Sequence, residues 1–278
     1  MNVRSLMFIS LLLTGCARHQ EPPIWQQIKI GDLAPKDPNR PTWILDTTNL
    51  DIYVFHIPQD KLKAIRGLWD GLNPRPIRYA NYTAFRANAF RAAQANIQKW
   101  DWVLGSLAEA GARLAGISTV WLQGDLPHDL KIWTLPLLTR ITHTPWQGPT
   151  QQVGIGPGVL ALRLRADPMA ASGPIRQLVA YPVFTPGPPG PIDQLAQVAK
   201  KREVEFIGAG FAVPISEGDV VVLGPEEYCG DQSTLAGIFF REQQPGFVVG
   251  PGGKKLVQTV PVVRIYAIVC TRISSSDR

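Results

Sequence analysis

The sequence predicts an α+β fold with a β-rich second half, and two observations lead to it. Charged residues make up only 18% of the chain, whereas Gly and Pro number 25 each, a composition that suits short strands joined by tight turns. Along the chain, the hydrophobic patterns of the first half follow the order strand-helix-strand-strand-helix-strand. In the second half, short apolar runs alternate with Gly and Pro clusters, which is typical of antiparallel sheets.

The first predicted strand and helix lie next to each other. Leu50–Ile57 is rich in β-branched and aromatic residues and predicts a strand. Pro58 then opens a helix, because proline is tolerated in the first helical turn. The helix has one apolar face, since its apolar residues recur at spacings of three and four; they are Leu62, Ile65, Trp69 and Leu72.

A second helix and the remaining strands complete the first half. Short extended pieces are predicted around Ile77–Tyr79 and within Tyr82–Ala93. The helix is predicted over Ile97–Ala110, with Gly111 where a C-cap glycine belongs. A strand over Ser118–Gln123 follows. Together these elements predict a split βαβ (ferredoxin-like) unit over residues 43–135.

The second half, residues 136–278, is predicted to form a sandwich or an open barrel. Its predicted strands are Val159–Arg165, Ile175–Phe184, Glu203–Ile207, Asp219–Leu223, Leu235–Arg241 and Val260–Ile273. In the last strand, Arg264 and Arg272 share a face with Tyr266 and Cys270, so we expect that face to be half solvated. The glycine-rich segment Gly250–Lys254 predicts a hairpin turn.

The N-terminus has the pattern of a secretory signal. Arg4 supplies a positive charge, and Leu6–Leu13 is a run that is apolar except at Ser10 and too short for a membrane span. The next residues, Leu13-Thr14-Gly15-Cys16, resemble the lipobox of bacterial lipoproteins. The resemblance covers the N-terminus alone. It implies that residues 1–15 are removed and that Cys16 carries lipid; the alternative is an ordinary signal peptide with an accidental cysteine.

This resemblance organises the segments that follow. Residues 16–41 contain five prolines and are expected to be a tether, because proline restricts its own φ and the residue before it. Ala17 follows the lipidated position, and the absence of Asp there resembles the outer-membrane sorting pattern. With Cys16 assigned to lipid, Cys229 and Cys270 remain as a pair. In an oxidising compartment the two can form a disulfide, and the alternative is two unpaired, buried thiols.

Composition and motifs limit the function. The net charge of +6 suggests contact with anionic envelope material, and no nucleic-acid motif is present. No catalytic motif, metal site or cofactor is predicted. Asp125, His128 and Asp129 offer three potential metal ligands, but a polar turn is the preferred interpretation. The sequence Ala-Phe-Arg-Ala occurs at 84–87 and 89–92; buried phenylalanines and solvated arginines are preferred over a basic-aromatic binding strip.

Eight tryptophans are many for this length. Trp69 and Trp100 are expected in the core. Trp25, Trp43 and Trp146 lie in proline- or glycine-flanked segments, where exposed indoles would stack on sugars.

The sequence therefore predicts a membrane-anchored, non-enzymatic envelope scaffold, assembly factor or secretion-apparatus component with envelope protein partners. Its expected location is the outer membrane, facing the periplasm or, alternatively, the cell surface. The alternative is a lipoprotein that binds peptidoglycan or another anionic glycan. An unrecognised hydrolase is the third hypothesis.

Overall fold

Two antiparallel six-stranded sheets organise the chain in the computed structural model, which describes residues 46–169, 175–187, 203–226, 233–249 and 255–274. The first five strands along the chain are β1 (Thr47–Pro58), β2 (Arg78–Tyr79), β3 (Phe90–Asn96), β4 (Arg113–Gln123) and β5 (His128–Leu135). The later strands are β6 (Thr139–His143), β7 (Gln151–Ile155), β8 (Gly158–Pro168), β9 (Arg176–Pro186), β10 (Val204–Glu205), β11 (Phe211–Ile215), β12 (Asp219–Pro225), β13 (Arg241–Val249) and β14 (Lys255–Ser274).

In the described part of the chain, four short α-helices lie between these strands. They are α1 (Arg66–Gly71), α2 (Tyr82–Ala87), α3 (Trp100–Glu109) and α4 (Leu235–Phe240). Single 3₁₀ segments occur at Gln59–Ile65, Ile97–Lys99 and Ile207–Ala209. Within the described residues, no helix is long and apolar enough to span a membrane.

Sheet A has the strand order β3-β12-β14-β1-β4, with β13 also paired to β14. Sheet B has the order β2-β11-β9-β8-β5, with β10 paired to β9, and β6 and β7 form a separate pair. The 20-residue strand β14 is the centre of sheet A. One half of β14 lies between β1 and β12, and the other half forms a hairpin with β13.

Sheet A is covered on both faces near its centre. On one face, Leu50 and Ile52 lie opposite Cys270 and Ile268, and all four are buried against sheet B. The other face carries Tyr53, whose ring lies 4.9 Å from that of Trp100 in α3. The described region thus has three layers: α1 and α3, sheet A, and sheet B. One continuous hydrophobic core joins them. Helix α4 packs against Tyr266, on the sheet-B side of sheet A.

The predicted α+β class with a β-rich sandwich is confirmed. The apolar face of the first helical segment is also confirmed, because Leu62, Ile65, Trp69 and Leu72 are all buried. Strands from the two predicted regions, 43–135 and 136–278, lie together in sheet A. β1 pairs with β4, but its other neighbour is β14 from the C-terminal region. The N-terminal strands therefore complete their hydrogen bonding with C-terminal ones.

The predicted strand over Leu235–Arg241 is wrong, because residues 235–240 form α4. The Thr234 hydroxyl accepts a hydrogen bond from the Gly237 amide at 3.1 Å and caps the helix. All six residues of α4 are buried. A helix that is apolar on every side has no amphipathic period, so the pattern did not distinguish it from a buried strand.

The expected half-solvated face of β14 is wrong at three of its four residues. Arg264, Tyr266 and Cys270 are buried, and only Arg272 is exposed. Sheet B covers this face: the Arg264 Nη1 donates to the Ile132 carbonyl oxygen at 3.3 Å, and its guanidinium lies over the Trp133 ring. The buried charge is balanced by Glu242, whose Oε2 lies 2.7 Å from Arg264 Nη2.

The predicted hairpin around Gly250–Lys254 is confirmed by the strands on either side. β13 and β14 pair in register from Arg241 opposite Val263 to Val249 opposite Lys255. Residues 250–254 themselves lie outside the described part of the chain.

Candidate functional site

The first candidate site is a cleft at the β3 end of sheet A, with a volume of about 510 Å³. We call it the arginine–aromatic cleft. Three arginines and one glutamate stand among aromatic rings and small residues. The lining residues are Trp69, Pro74, Arg75, Tyr79, Tyr82, Phe85, Arg86, Phe90, Arg91, Ala92, Ala93 and Glu226.

The repeated sequence Ala-Phe-Arg-Ala builds one wall of the cleft in two different conformations. Its first copy lies in α2, which begins after Asn81, whose side chain accepts from the Ala84 amide at 3.0 Å. Its second copy enters β3 after Ala89, which has a φ of 58°. Phe85 and Phe90 are both 1% exposed. The interpretation of these phenylalanines as core residues is confirmed.

The same change of conformation brings both arginines of the repeat to the cleft. Arg86 is exposed on α2 and lies 3.4 Å from Glu226 Oε1. Arg91 is half-buried on β3, and its guanidinium lies 5.0 Å from the Trp69 ring centroid. These arginines are not simply solvated, because both stand against aromatic rings: Arg86 also lies over the Tyr82 ring at 5.9 Å.

Tyr79 provides a neutral phenol at the wall of the cleft. Burial raises the pKa of Tyr79 to about 12, with further raising contributions from Tyr82 and Glu226 and a lowering one from Arg91. The hydroxyl donates to the Ala92 carbonyl oxygen at 3.4 Å. None of the lining residues is Ser, Cys, His or Asp. The cleft therefore offers cationic and aromatic groups for binding.

The second candidate site is on β4, at the opposite end of sheet A. Trp121 is 69% exposed, Ile117 54% and Leu114 52%. We call these three residues the β4 apolar strip. They pair with Asn49, Tyr53 and Phe55 of β1, which places them on the face that the helices cover nearer the sheet centre.

The residues of the strip are exposed, whereas their neighbours on the same strand are buried. Val120 and Leu122, which point to the opposite face, are buried in the core. No described residue pairs with the outer edge of β4. Three large apolar side chains on an unpaired edge strand form a surface suited to a protein partner.

A third feature, a cluster of polar side chains, lies between the sheets at the base of the β13–β14 hairpin. Glu242 Oε2 is 3.3 Å from His56 Nε2, and Gln244 Nε2 lies 2.6 Å from His56 Nδ1. Arg264 binds the same glutamate through Nε and Nη2. Burial lowers the pKa of His56, Glu242 acts in the opposite direction, and Arg264 lowers it further. We call this group the hairpin clamp, because it joins β1, β13 and β14.

The predicted site residues fall into two groups. Cys16, Trp25, Trp43 and Cys229 lie outside the described residues. Trp146 is described and is 49% exposed; its carbonyl oxygen accepts from Asn81 Nδ2 at 3.0 Å. The Trp146 segment therefore contacts the residue that precedes α2, next to the arginine–aromatic cleft.

Cys270 is buried and has a free thiol in the structure. Burial raises its pKa to about 12, assisted by Asp219 and Glu217. Because Cys229 is not among the described residues, its pairing with Cys270 stays a prediction.

Asp129, one of the three potential metal ligands considered in the sequence, binds an arginine instead. Its two carboxylate oxygens accept from Arg163 Nε and Nη2 at 2.7 and 2.8 Å. Across the described ranges, no group of three or more His, Cys, Asp or Glu residues is placed to hold a metal ion.

Comparisons with known proteins found few similarities. No protein-family model matches the chain, and no curated protein matches it. Among solved structures, the chain is similar to the secretin domain β-barrel of InvG from the Salmonella SPI-1 injectisome, at 8% identity and a TM-score of 0.25, over 84% of this chain and 64% of that one. It is also similar to the Salmonella type III secretion injectisome secretin InvG, at 8% identity and a TM-score of 0.23, over 100% of this chain and 72% of that one. At these TM-scores, the similarities carry no argument about fold or function.

Proposed function

We propose that this chain is a lipid-anchored envelope protein that acts without catalysis, as a scaffold, assembly factor or secretion-apparatus component. The β4 apolar strip is the observation that carries the proposal. Leu114, Ile117 and Trp121 are each more than half exposed and share one face of an unpaired edge strand. A partner that covers them removes apolar surface from water, at about 25 cal/mol for each Å².

The edge of β4 adds a second way to bind. Its backbone N–H and C=O groups have no partner strand among the described residues, so a strand of another protein can add to sheet A by main-chain hydrogen bonds. Apolar side chains beside such an edge give this addition affinity and register. Natural edge strands that do not bind partners are usually protected by charge, proline or a bulge. β4 has Arg113 at its start and a register shift opposite Val54–Phe55, and its residues 114–123 contain neither charge nor proline.

The lipid anchor on Cys16 is the other half of the proposal. Two or more acyl chains give stable membrane attachment, whereas one gives reversible binding. We place the anchor in the outer membrane with the folded region facing the periplasm. Cys16→Ala is expected to release the protein from the membrane fraction, and a Cys16→Ala protein that stays bound would contradict the anchoring.

Site-specific photo-crosslinking in intact cells tests the protein contact. A benzoylphenylalanine at Ile117 is expected to give a crosslinked species, and Trp121→Ser in the same chain is expected to abolish it. Leu137 is the matched control, because it is 74% exposed but lies outside the strip. Equal crosslinking at Leu137 and Ile117, or none at Ile117, would contradict the proposal.

A glycan-binding lipoprotein is the second candidate function, favoured by the half-exposed indole of Trp146. Exposed indoles bind sugars by stacking on their faces. Sedimentation with purified peptidoglycan tests it: the full-length protein is expected to co-sediment, and Trp146→Ala is expected to reduce this. Trp121→Ala, which removes a more exposed indole elsewhere, is the control and is expected to leave sedimentation unchanged.

A further inference from the structure

We propose that the arginine–aromatic cleft binds a small organic anion, a carboxylate or phosphate attached to a ring. This goes beyond the scaffold function, because the cleft and the β4 apolar strip lie at opposite ends of sheet A. The proposal rests on the charge of the cleft, on its aromatic walls and on the way its arginines are held.

The described lining of the cleft has more positive than negative side chains. Among the described residues, three guanidinium groups line the cleft and one carboxylate does, that of Glu226. Glu226 pairs with Arg86. Within the described residues, the guanidinium groups of Arg75 and Arg91 have no hydrogen bond or ion pair. A guanidinium presents donors in a planar fork that matches the two oxygens of a carboxylate or phosphate, so an oxyanion would fill the unused donors.

The walls of the cleft indicate what the anion is attached to. Tyr79 is in contact with Phe85 and Tyr82, at ring-centroid distances of 4.4 and 5.4 Å. Trp69 and Phe90 complete the aromatic lining. A volume of about 510 Å³ falls within the range of about 300–1,000 Å³ found for small-molecule sites. An anion with a flat apolar or ring-shaped body uses both the arginines and these rings.

The cationic groups are partly positioned before any ligand arrives. Arg91 stands on a strand that is hydrogen-bonded to β12, and its guanidinium is stacked on Trp69. Stacking restricts the side chain, so less conformational entropy is lost when the anion binds. The phenol of Tyr79 stays protonated at neutral pH and adds no negative charge to the cleft.

Isothermal titration calorimetry of the full-length protein in a non-ionic detergent tests the proposal. The probes are benzoate and phenyl phosphate, with the neutral benzamide and inorganic phosphate as comparisons. We expect saturable binding of benzoate, phenyl phosphate or both, no binding of benzamide, and weaker binding of inorganic phosphate, which leaves the rings unused. The order of benzoate and phenyl phosphate distinguishes a carboxylate from a phosphate ligand.

Two variants locate the site. Arg75→Gln and Arg91→Gln are each expected to weaken binding of the better probe about tenfold or more, because a hydrogen bond to a charged group contributes about 1.5–3 kcal/mol. Arg75 is exposed and is expected to be replaced without loss of folding. Arg91→Lys keeps the charge but not the fork, and it is expected to recover only part of the affinity. Arg140, exposed on β6 and outside the cleft, is the matched control.

Three results would overturn the proposal: no saturable binding of either aromatic anion, equal binding of benzamide and benzoate, or an effect of Arg140→Gln as large as that of Arg75→Gln. None of them bears on the crosslinking of Ile117, so failure here is distinguishable from failure of the scaffold function.

Discussion

The two edges of sheet A end in opposite ways. At β3, the loop residue Asn73 forms a bridge with Gln94 through hydrogen bonds of 2.8 and 2.9 Å, and arginines line the adjacent cleft. At β4, the described chain provides no such bridge, and the large apolar side chains of Leu114, Ile117 and Trp121 are exposed. One sheet thus carries a partly closed, cationic edge and an open, apolar edge.

This difference shows that exposure alone does not define a functional surface. The β3 edge is tied to the core, because Trp69, the ring beneath Arg91, belongs to the hydrophobic core, as do Phe85 and Phe90. The β4 apolar strip projects from the sheet on the side away from the core residues Val120 and Leu122. A change at one of these core rings should therefore affect folding as well as binding, whereas a change in the β4 apolar strip should affect binding alone.

The largest expected contrast is between Phe90→Ala and Trp121→Ala. Phe90 packs on Phe240 and Phe239 at ring-centroid distances of 4.7 and 5.3 Å, and its removal is expected to cost about 3–5 kcal/mol of unfolding free energy. Trp121→Ala is expected to change it by less than about 0.5 kcal/mol. Urea denaturation of the full-length variants measures both, and a loss at Trp121 as large as that at Phe90 would remove the distinction between the edges.

A smaller contrast comes from two glycines of sheet A. A Cβ at Gly224, on β12 beside β3, would lie 2.5 Å from Ile265 Cδ1 and 3.0 Å from Trp69 Cζ2. Gly224→Ala is therefore expected to destabilise the protein by about 1–3 kcal/mol. A Cβ at Gly116, on β4, would have no atom within 4 Å, and Gly116→Ala is expected to be neutral or slightly stabilising.

Thermal unfolding of the two alanine variants measures this contrast. Because Gly224 also lies beside Trp69, its substitution is expected to disturb the stacking of Arg91 and weaken binding in the cleft. Equal melting temperatures for the two variants would show that the β3 side is no more tightly packed than the β4 side.

The smallest expected effect is a dependence on pH that arises away from both edges. Burial lowers the pKa of His56 in the hairpin clamp and that of His143 on β6. The unfolded chain therefore takes up protons at a higher pH than the folded one, and stability is lost as the pH falls below about 6.5. In thermal unfolding, His56→Gln is expected to lose less stability than the wild type between pH 7 and pH 5. An equal loss in the variant and the wild type would show that His56 does not contribute to this pH dependence.

The sequence predicted the positions of strands better than it predicted which strands pair with each other. β-branched and aromatic residues identified β1. The alternation of leucines with Arg163 and Arg165 identified β8, because a half-buried strand has a hydrophobic period of two. The pairing of β1 with β14 had no local signal, since the partners come from opposite ends of the described chain. The predicted strand at Leu235–Arg241 failed for a related reason: burial on every side of α4 removed the period that identifies a helix.

The two candidate sites were predictable to different degrees. The repeated Ala-Phe-Arg-Ala sequence was visible, but its period of five fits neither a helix face nor a strand face, and the site arises because one copy is helical and the other extended. The β4 apolar strip could not be predicted, because Ile117 and Trp121 are expected core residues until the helices are known to leave that part of the sheet uncovered. Arg75 had no sequence signal.

The pairing of β1 with β14 has a consequence for how the protein acquires its structure. The Thr271 hydroxyl donates to the Asn49 carbonyl oxygen at 3.2 Å across 222 residues of sequence. Contacts between residues so far apart slow folding, because a long loop must close before they form. During synthesis β1 lacks this neighbour until the last strand has emerged. A chain that stops before β14 would leave β1, β12 and β13 without their common partner, so we expect truncated forms to be degraded rather than to persist as smaller folded domains.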